Sequence, residues 1–290
     1  MVVRGRKFVK QEINADRCSF GYLDRYRRAA VSRLEASGVL ATGESSLEID
    51  GQAVSFATDP GPETFNDDFV ALWEPAKSDS IKWAAAIADG VTGCLLAQEA
   101  AELACYAGLA AIAKAADGCA ASASNPFRLA NRLFHRLGKL AISDVESFRP
   151  ADCPQSIWRI AAREGKFLQT TLTLVWSTTE GLRVVAVGDG GILYSYADAP
   201  TEITGHTFGT GKLECLGPRS FVQPEAYLLE NWSRFVCYTD GLAEVIQQDR
   251  KMSKTLTDNS RSVASFISSL NADCPELVND NISAIRAVKV

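Results

Sequence analysis

Apolar residues along this chain come in short continuous runs and in longer helical patterns, separated by Gly, Pro and Asp. Leu47 to Ile49 and Ala53 to Ala57, joined by Asp50-Gly51, predict a β-hairpin. Asp59-Pro-Gly-Pro is a loop, and Phe69 to Trp73 and Ile81 to Ala88 predict strands. A helical section follows. Leu95 to Ala116 is Ala-rich and stops at Asp117-Gly118. A second helix opens at Asn125-Pro126, a cap residue and a first-turn proline, and runs to about Glu146. Its Phe127, Ala130, Leu133, Phe134, Leu137 and Leu140 keep helical spacing. A shorter helix is expected around Ile157 to Arg163.

Strands then resume. Leu168 to Ser177 alternates in pattern, and Leu182 to Val187 and Ile192 to Tyr196 flank Gly188-Asp-Gly-Gly, by composition a hairpin turn. Gly205 to Pro218 reads as a flexible surface loop. Glu225 to Leu229 and Arg234 to Tyr238 are strands, Asp240 starts a short helix, Ser253 to Leu270 is a single helix, and Asn281 to Val288 is a last strand. Residues 1 to about 45 look like a separate extension, with a helix over Asp16 to Ala36 ended by Ser37-Gly38. The order of elements is α+β, not a repeated βαβ unit. So many strands fit two packed antiparallel sheets with helices outside better than one open sheet.

Composition narrows the classes. At 290 residues, 47% hydrophobic and 22% charged, the chain has the balance of a globular protein. A net charge of −5 argues against nucleic acid or an anionic membrane as the main partner. The basic start (Arg4, Arg6, Lys7, Lys10) precedes no apolar stretch, so no secretory signal is expected. Leu95 to Ala116 is interrupted by Gln98, Glu99, Glu102 and Lys114, which favours a buried helix over a membrane span. The eight cysteines form no C-x-x-C pair and read as small buried thiols of a reducing, cytoplasmic compartment. With only His135 and His206 to join them, zinc is disfavoured.

Chemistry enters with five acidic motifs at the ends of apolar runs: Asn66-Asp67-Asp68, Asp89-Gly90, Asp189-Gly190, Asp240-Gly241 and Asp280-Asn281. In an antiparallel sheet the start of one strand lies beside the end of its neighbour, so all five could share one edge. Carboxylates gathered there repel one another unless cations sit among them. Each aspartate alone is an ordinary turn or cap residue.

Taken in order, Asn66-Asp-Asp, Ala88-Asp-Gly-Val-Thr-Gly, Thr170-Thr-Leu, Val187-Gly-Asp-Gly-Gly, Tyr238-Thr-Asp-Gly-Leu-Ala-Glu and Asp280-Asn-Ile resemble the protein phosphatase 2C family of metal-dependent serine/threonine phosphatases, over roughly residues 46 to 290. The resemblance implies a four-layer αββα sandwich with a two-metal centre in the cleft between the sheets. It implies that Asp89 bridges two Mn²⁺ or Mg²⁺ ions, that Asp240 and Asp280 complete one ion's shell, and that Asp67, or a water held by Asp68, serves the other with the Gly90 carbonyl. Asp68 and Asp89 would act in catalysis through the water so held, and Asp189 would help hold a third, looser ion. Carboxylate and carbonyl oxygens suit hard divalent cations. Two such ions activate a water and clamp the phosphoryl oxygens. The substrate implied is a phosphoprotein, and a cognate kinase is an expected partner. The chain departs from the pattern twice. Val91 stands where many members carry a His, and no basic residue lies between Asp50 and Lys77, where a phosphate-binding Arg is common. The alternative is a pseudophosphatase, the same fold used as a binding or scaffold module. His206, Lys212 and Arg219 read as surface loop residues, His135 as structural, and Cys94 as packing.

Overall fold

The computed structural model describes residues 21–290 apart from 79, 117–124, 146–147, 151–152, 197–198, 204–213, 221, 250 and 259; of 116, 125 and 199–203 it describes the backbone. The loop expected over Gly205 to Pro218 thus lies mostly outside the described residues, as do His206, Lys212 and the start of the helix expected from Asp16.

Among the described residues, twelve strands form two six-stranded antiparallel sheets. In the first, the order is β1 (Gly38–Thr42), β4 (Asp68–Pro75), β5 (Ile81–Asp89), β6 (Leu172–Thr178), β7 (Leu182–Val187) and β10 (Glu225–Leu229). In the second, it is β2 (Ser45–Ile49), β3 (Gln52–Asp59), β12 (Ile282–Lys289), β11 (Arg234–Tyr238), β8 (Gly191–Tyr196) and β9 (Ala199–Ile203). Helices α1 (Gly21–Ser37), α2 (Ala97–Ala116), α3 (Asn125–Ser143) and α4 (Gln155–Glu164) accompany the first sheet. Helices α5 (Asp240–Gln248), α6 (Lys251–Thr257) and α7 (Val263–Asp273) accompany the second. This is the α+β sandwich expected from the order of elements.

The continuous apolar runs have a simple cause: both faces of each sheet are covered. Successive residues of a strand point to opposite faces. In β4, Phe69, Ala71 and Trp73 pack toward the helices, while Val70 and Leu72 pack between the sheets. In β5, Ala84, Ala86 and Ala88 face the helices, and Trp83, Ala85 and Ile87 face the second sheet. In β12, Ile285 and Ala287 enter the central layer, and Ile282 and Ala284 pack under α5–α7. Small alanines on the outer face of β5 let the Ala-rich α2 lie close. α2 is buried along much of its length, and no helix among the described residues is long and apolar enough to cross a membrane. The Asp50-Gly51 turn has positive φ at both residues, as a two-residue hairpin between β2 and β3 needs.

The segment set apart as an extension contributes α1, which packs on α2, and β1, which pairs with β4. Trp73 Nε1 donates to the Leu34 carbonyl at 3.1 Å, and Arg27 reaches the buried Glu102 at 3.4 Å.

Two expected elements differ. The helix over Ser253 to Leu270 is broken into α6 and α7. The cause is Arg286 of β12, 2% exposed, whose guanidinium donates to the carbonyls of Leu256, Asp258 and Arg261 and so holds the chain open between the two helices. Ser262 then caps α7, accepting from the Ser265 amide at 3.1 Å. The second correction is Gly188-Asp-Gly-Gly. β7 and β8 do not pair; they lie in different sheets. The segment is a crossover, with Gly188 at φ 125°, where a Cβ would come within 2.4 Å of Thr171.

Candidate metal centre

The crossover matters because it delivers Asp189 to the mouth of the cleft. Strand register delivers the others. Asp68, the first residue of β4, lies directly opposite Asp89, the last of β5. In the second sheet, β11 ends at Tyr238, Thr239 caps α5 and Asp240 opens it. Asp280 and Asn281 precede β12, whose Ile282 starts the strand beside β3. Acidic motifs from both sheets therefore meet at one edge of the sandwich.

Carboxylate oxygens of Asp89, Asp189 and Asp240 lie within 4.8 Å of one another. Like charges at that distance repel by about 3 kcal/mol per pair at an effective dielectric constant near 20. Protonation behaviour reflects this. The Asp240 carboxyl is pushed up to about 7, first by burial and then by the charges of Asp189, Asp280 and Asp68. Asp89 is held well above the usual carboxylate range by burial, then by Asp68 and Asp240. Asp68 rises to about 6, chiefly through burial, with the Asp280 charge adding to it and hydroxyls of Ser283 and Thr239 opposing.

Hydrogen bonds lock the frame. Thr239 Oγ1 donates to Asp68 Oδ2 at 2.8 Å. The Asp89 amide donates to Thr171 Oγ1 at 2.9 Å, and Thr170 Oγ1 donates to the Asp89 carbonyl at 2.7 Å. The Asp67 amide donates to Asn281 Oδ1 at 2.6 Å, and the Gly90 amide donates to the Asp67 carbonyl at 3.1 Å. Asp240 and Asp280 each accept from the amide of the following residue, at 2.8 and 2.7 Å. Asp67, Asp68, Asp89, Gly90, Asp189, Asp240 and Asp280 are thereby all placed at this edge.

One atom bears on the fit of a cation. Asp68 Oδ1 is buried with no hydrogen-bond donor on it. A buried carboxylate oxygen without a donor, beside carboxylates that repel one another, matches what a hard divalent cation needs: oxygen donors and excess negative charge. The residues fit a hard divalent cation.

Sequence reading missed the hydroxyl and amide side chains that hold this frame: Thr239, Ser283 and Asn281. Thr239 and Asn281 lie inside the quoted motifs, adjacent to Asp240 and Asp280, and that adjacency was the available signal. The other candidates fall elsewhere. His135 Nδ1 pairs with the Pro218 carbonyl at 2.8 Å, a structural contact. Cys94 sits against Gln169, and burial pushes its thiol up to about 12, so no thiolate is available there. All six described cysteines are free.

Two antiparallel sheets flanked by helices, with a carboxylate cluster at one edge of the cleft, make an α+β sandwich with one acidic rim. The family model of protein phosphatase 2C matches residues 62–273, and the chain belongs to that family. Solved structures agree at the level of fold. The catalytic domain of serine threonine protein phosphatase PstP in complex with 2 manganese ions is 18% identical, covering 82% of this chain and 97% of that one, with a TM-score of 0.55. PstP of Mycobacterium tuberculosis is 18% identical over 83% of this chain and 99% of that one, TM-score 0.56. The S. agalactiae serine/threonine phosphatase is 16% identical over 82% and 100%, TM-score 0.57. No curated protein matches the chain.

Proposed function

We propose that the chain is a metal-dependent phosphoprotein phosphatase that hydrolyses phosphoserine or phosphothreonine monoesters. The observation that carries this reading is the meeting of Asp89, Asp189 and Asp240 within 4.8 Å, next to the Asp68–Asp89 register pair. In this reading Asp89 would help hold both of two Mn²⁺ or Mg²⁺ ions, with Asp240 and Asp280 holding one, Asp67, or a water held by Asp68, and the Gly90 carbonyl the other, and Asp189 a third, looser one. The ions, when bound, supply a nucleophilic water at neutral pH and positive charge for the phosphoryl oxygens.

The chain's own residues do the positioning. Thr239 orients the Asp68 carboxylate through its hydroxyl, while Thr171 and Thr170 hold the Asp89 backbone. Asn281 fixes Asp67 from the second sheet, so the two halves of the centre keep one spacing. Val91 carries no proton for the leaving oxygen, which leaves that proton to solvent.

The test is phosphate release from an aryl phosphate with Mn²⁺, against an Asp89→Asn/Asp240→Asn double variant. Equal rates for the two would overturn the reading. A second reading, a binding module of the same fold, is favoured by Val91 and by the lack of any basic residue between Asp50 and Lys77. It predicts a folded chain that binds no Mn²⁺ at millimolar concentration and turns over no phosphate ester.

A further inference from the structure

Phe65 stands out among the aromatic residues. It is 72% exposed, whereas every other phenylalanine whose side chain is described is buried. It lies two residues before Asp67, in the loop that leads into β4. That loop is braced on all sides. Gly61 N donates to Asp59 Oδ1 at 2.9 Å, Glu63 N to the Pro60 carbonyl at 3.1 Å, and Asn66 Nδ2 to Thr58 Oγ1 at 2.7 Å. Asn281, the neighbour of Asp280, donates from Nδ2 to the carbonyls of Pro60 at 2.9 Å and of Phe65 at 3.2 Å. Gly61, at φ 59°, packs so closely on the Asp280 carbonyl that a Cβ there would come within 2.3 Å. The ring is therefore exposed on a braced backbone, two residues before Asp67 and held by the neighbour of Asp280. An aromatic side chain with few rotamers, carried on a braced backbone at the rim of a site, binds with less ordering cost than one on a loose loop.

Along its own segment the charge is one-signed. Glu63, two residues before Phe65, is exposed, and the chain has no basic residue from Gly51 to Ala76. A phosphorylated segment lying across this rim meets an aromatic face and a carboxylate. It gains there by bringing an apolar side chain and a cation of its own.

We propose that Phe65 and Glu63 are specificity-determining residues that select phosphorylated segments carrying an apolar and a basic side chain close to the phosphorylated residue. This rests on the phosphatase reading above. Phe65 takes the apolar side chain, and Glu63 pairs with the Lys or Arg. Neither residue takes part in the hydrolysis itself.

The experiment uses the full chain with Mn²⁺ and four phosphoserine peptides. These differ in one flanking position (Leu or Ser) and in another (Arg or Glu). Peptide affinity is measured by calorimetry in an Asp240→Asn background, where turnover is suppressed, and kcat and KM for each peptide without that change are compared with those for an aryl phosphate. The wild type is expected to bind the Leu/Arg peptide tightest. Phe65→Ala is expected to weaken that peptide's affinity by about 10-fold, the size of losing one buried aromatic contact. The same change should lower the ratio of peptide to aryl phosphate kcat/KM, through KM. Glu63→Lys is expected to reverse the preference between the Arg and Glu peptides. Equal affinity for all four peptides, or Phe65→Ala and Glu63→Lys binding them as the wild type does, would overturn the inference. Failure of the phosphatase reading shows separately, as no turnover of the aryl phosphate, while the affinities still decide for or against Phe65 and Glu63.

Discussion

Thr239 joins the two sheets through its hydroxyl: it accepts from the Ser283 amide at 3.1 Å and donates to Asp68 Oδ2 at 2.8 Å. Because the ionised Asp68 carboxylate can only accept, the Thr239 proton points to it. The bond orients a carboxylate from the first sheet using a residue that caps a helix of the second. Thr239→Val keeps the shape and removes the hydroxyl. Mn²⁺ affinity should fall by about 10–100-fold, the usual cost of losing a group that orients a ligand. Calorimetric titration with Mn²⁺ checks it, and unchanged affinity would mean that Asp68 does not face a cation.

Asp240 gives a prediction with two opposite signs. Its carboxyl is pushed up to about 7 by burial and by Asp189, Asp280 and Asp68. Asp240→Asn removes a charge from a cluster that repels itself. In the metal-free protein it should therefore raise the melting temperature, by about 2–4 °C for each kcal/mol of repulsion relieved. In the presence of Mn²⁺ the same change should cut phosphate release by at least about 100-fold. Melting curves in chelator and aryl phosphate assays with Mn²⁺ read the two effects. A variant that is less stable without metal and equally active with it would contradict both.

The contrast between Asp240 and Asp189 marks what the sequence could carry. The apolar runs of β4 and β5 were legible because both faces are buried, and the Asp50-Gly51 hairpin because its turn needs positive φ. The crossover at Gly188–Gly191 was not. Gly-Asp-Gly-Gly suits a tight hairpin and a sheet-to-sheet crossing equally well, and the choice is made by β8 pairing with β11, far along the chain. Asp189 accordingly looked like a turn residue, while the fold sets it against Asp89 and Asp240. The break between α6 and α7 was hidden for a similar reason, since the guanidinium that causes it belongs to β12. β1 carries no alternation of its own and exists through its pairing with β4. The acidic motifs could be ordered from sequence, but that the Thr239 hydroxyl aims Asp68, across to the other sheet, is visible only once the strands are in register.

Leu34 tests whether the first helix is part of the same cooperative unit. Its side chain is fully buried, and its carbonyl accepts from the Trp73 indole at 3.1 Å, so α1 is fastened to β4 of the first sheet. Leu34→Ala should cost about 2–5 kcal/mol in urea unfolding, as for other large-to-small changes at fully buried sites. The transition should stay single, with its midpoint lowered and its slope kept. A separate early transition would instead show that α1 detaches before the sheets unfold.

The carboxylate centre also inverts the usual pH dependence of an aspartate. Asp68 titrates near 6 and Asp240 near 7 in the folded chain, both above the ordinary value of 3.8, with burial the first cause in each. An acid whose pKa is raised by folding binds its proton more tightly in the folded state, so folding is favoured by acid across that interval. For buried Asp68 alone the span from 3.8 to about 6 corresponds to roughly 3 kcal/mol, absent above pH 6 and regained as pH falls toward 4. The metal-free protein should thus gain stability from these groups as pH is lowered from about 8 to 5. Saturating Mn²⁺ should flatten that dependence, because a cation replaces the proton in relieving the repulsion. It should also raise the melting temperature more at pH 8 than at pH 6, where protons compete for the same oxygens. Melting curves across pH, with chelator and with Mn²⁺, measure both trends. A metal-free melting temperature that falls steadily from pH 8 to 6, with the same Mn²⁺ increment at each pH, would show that these carboxyls do not carry the cost assigned to them.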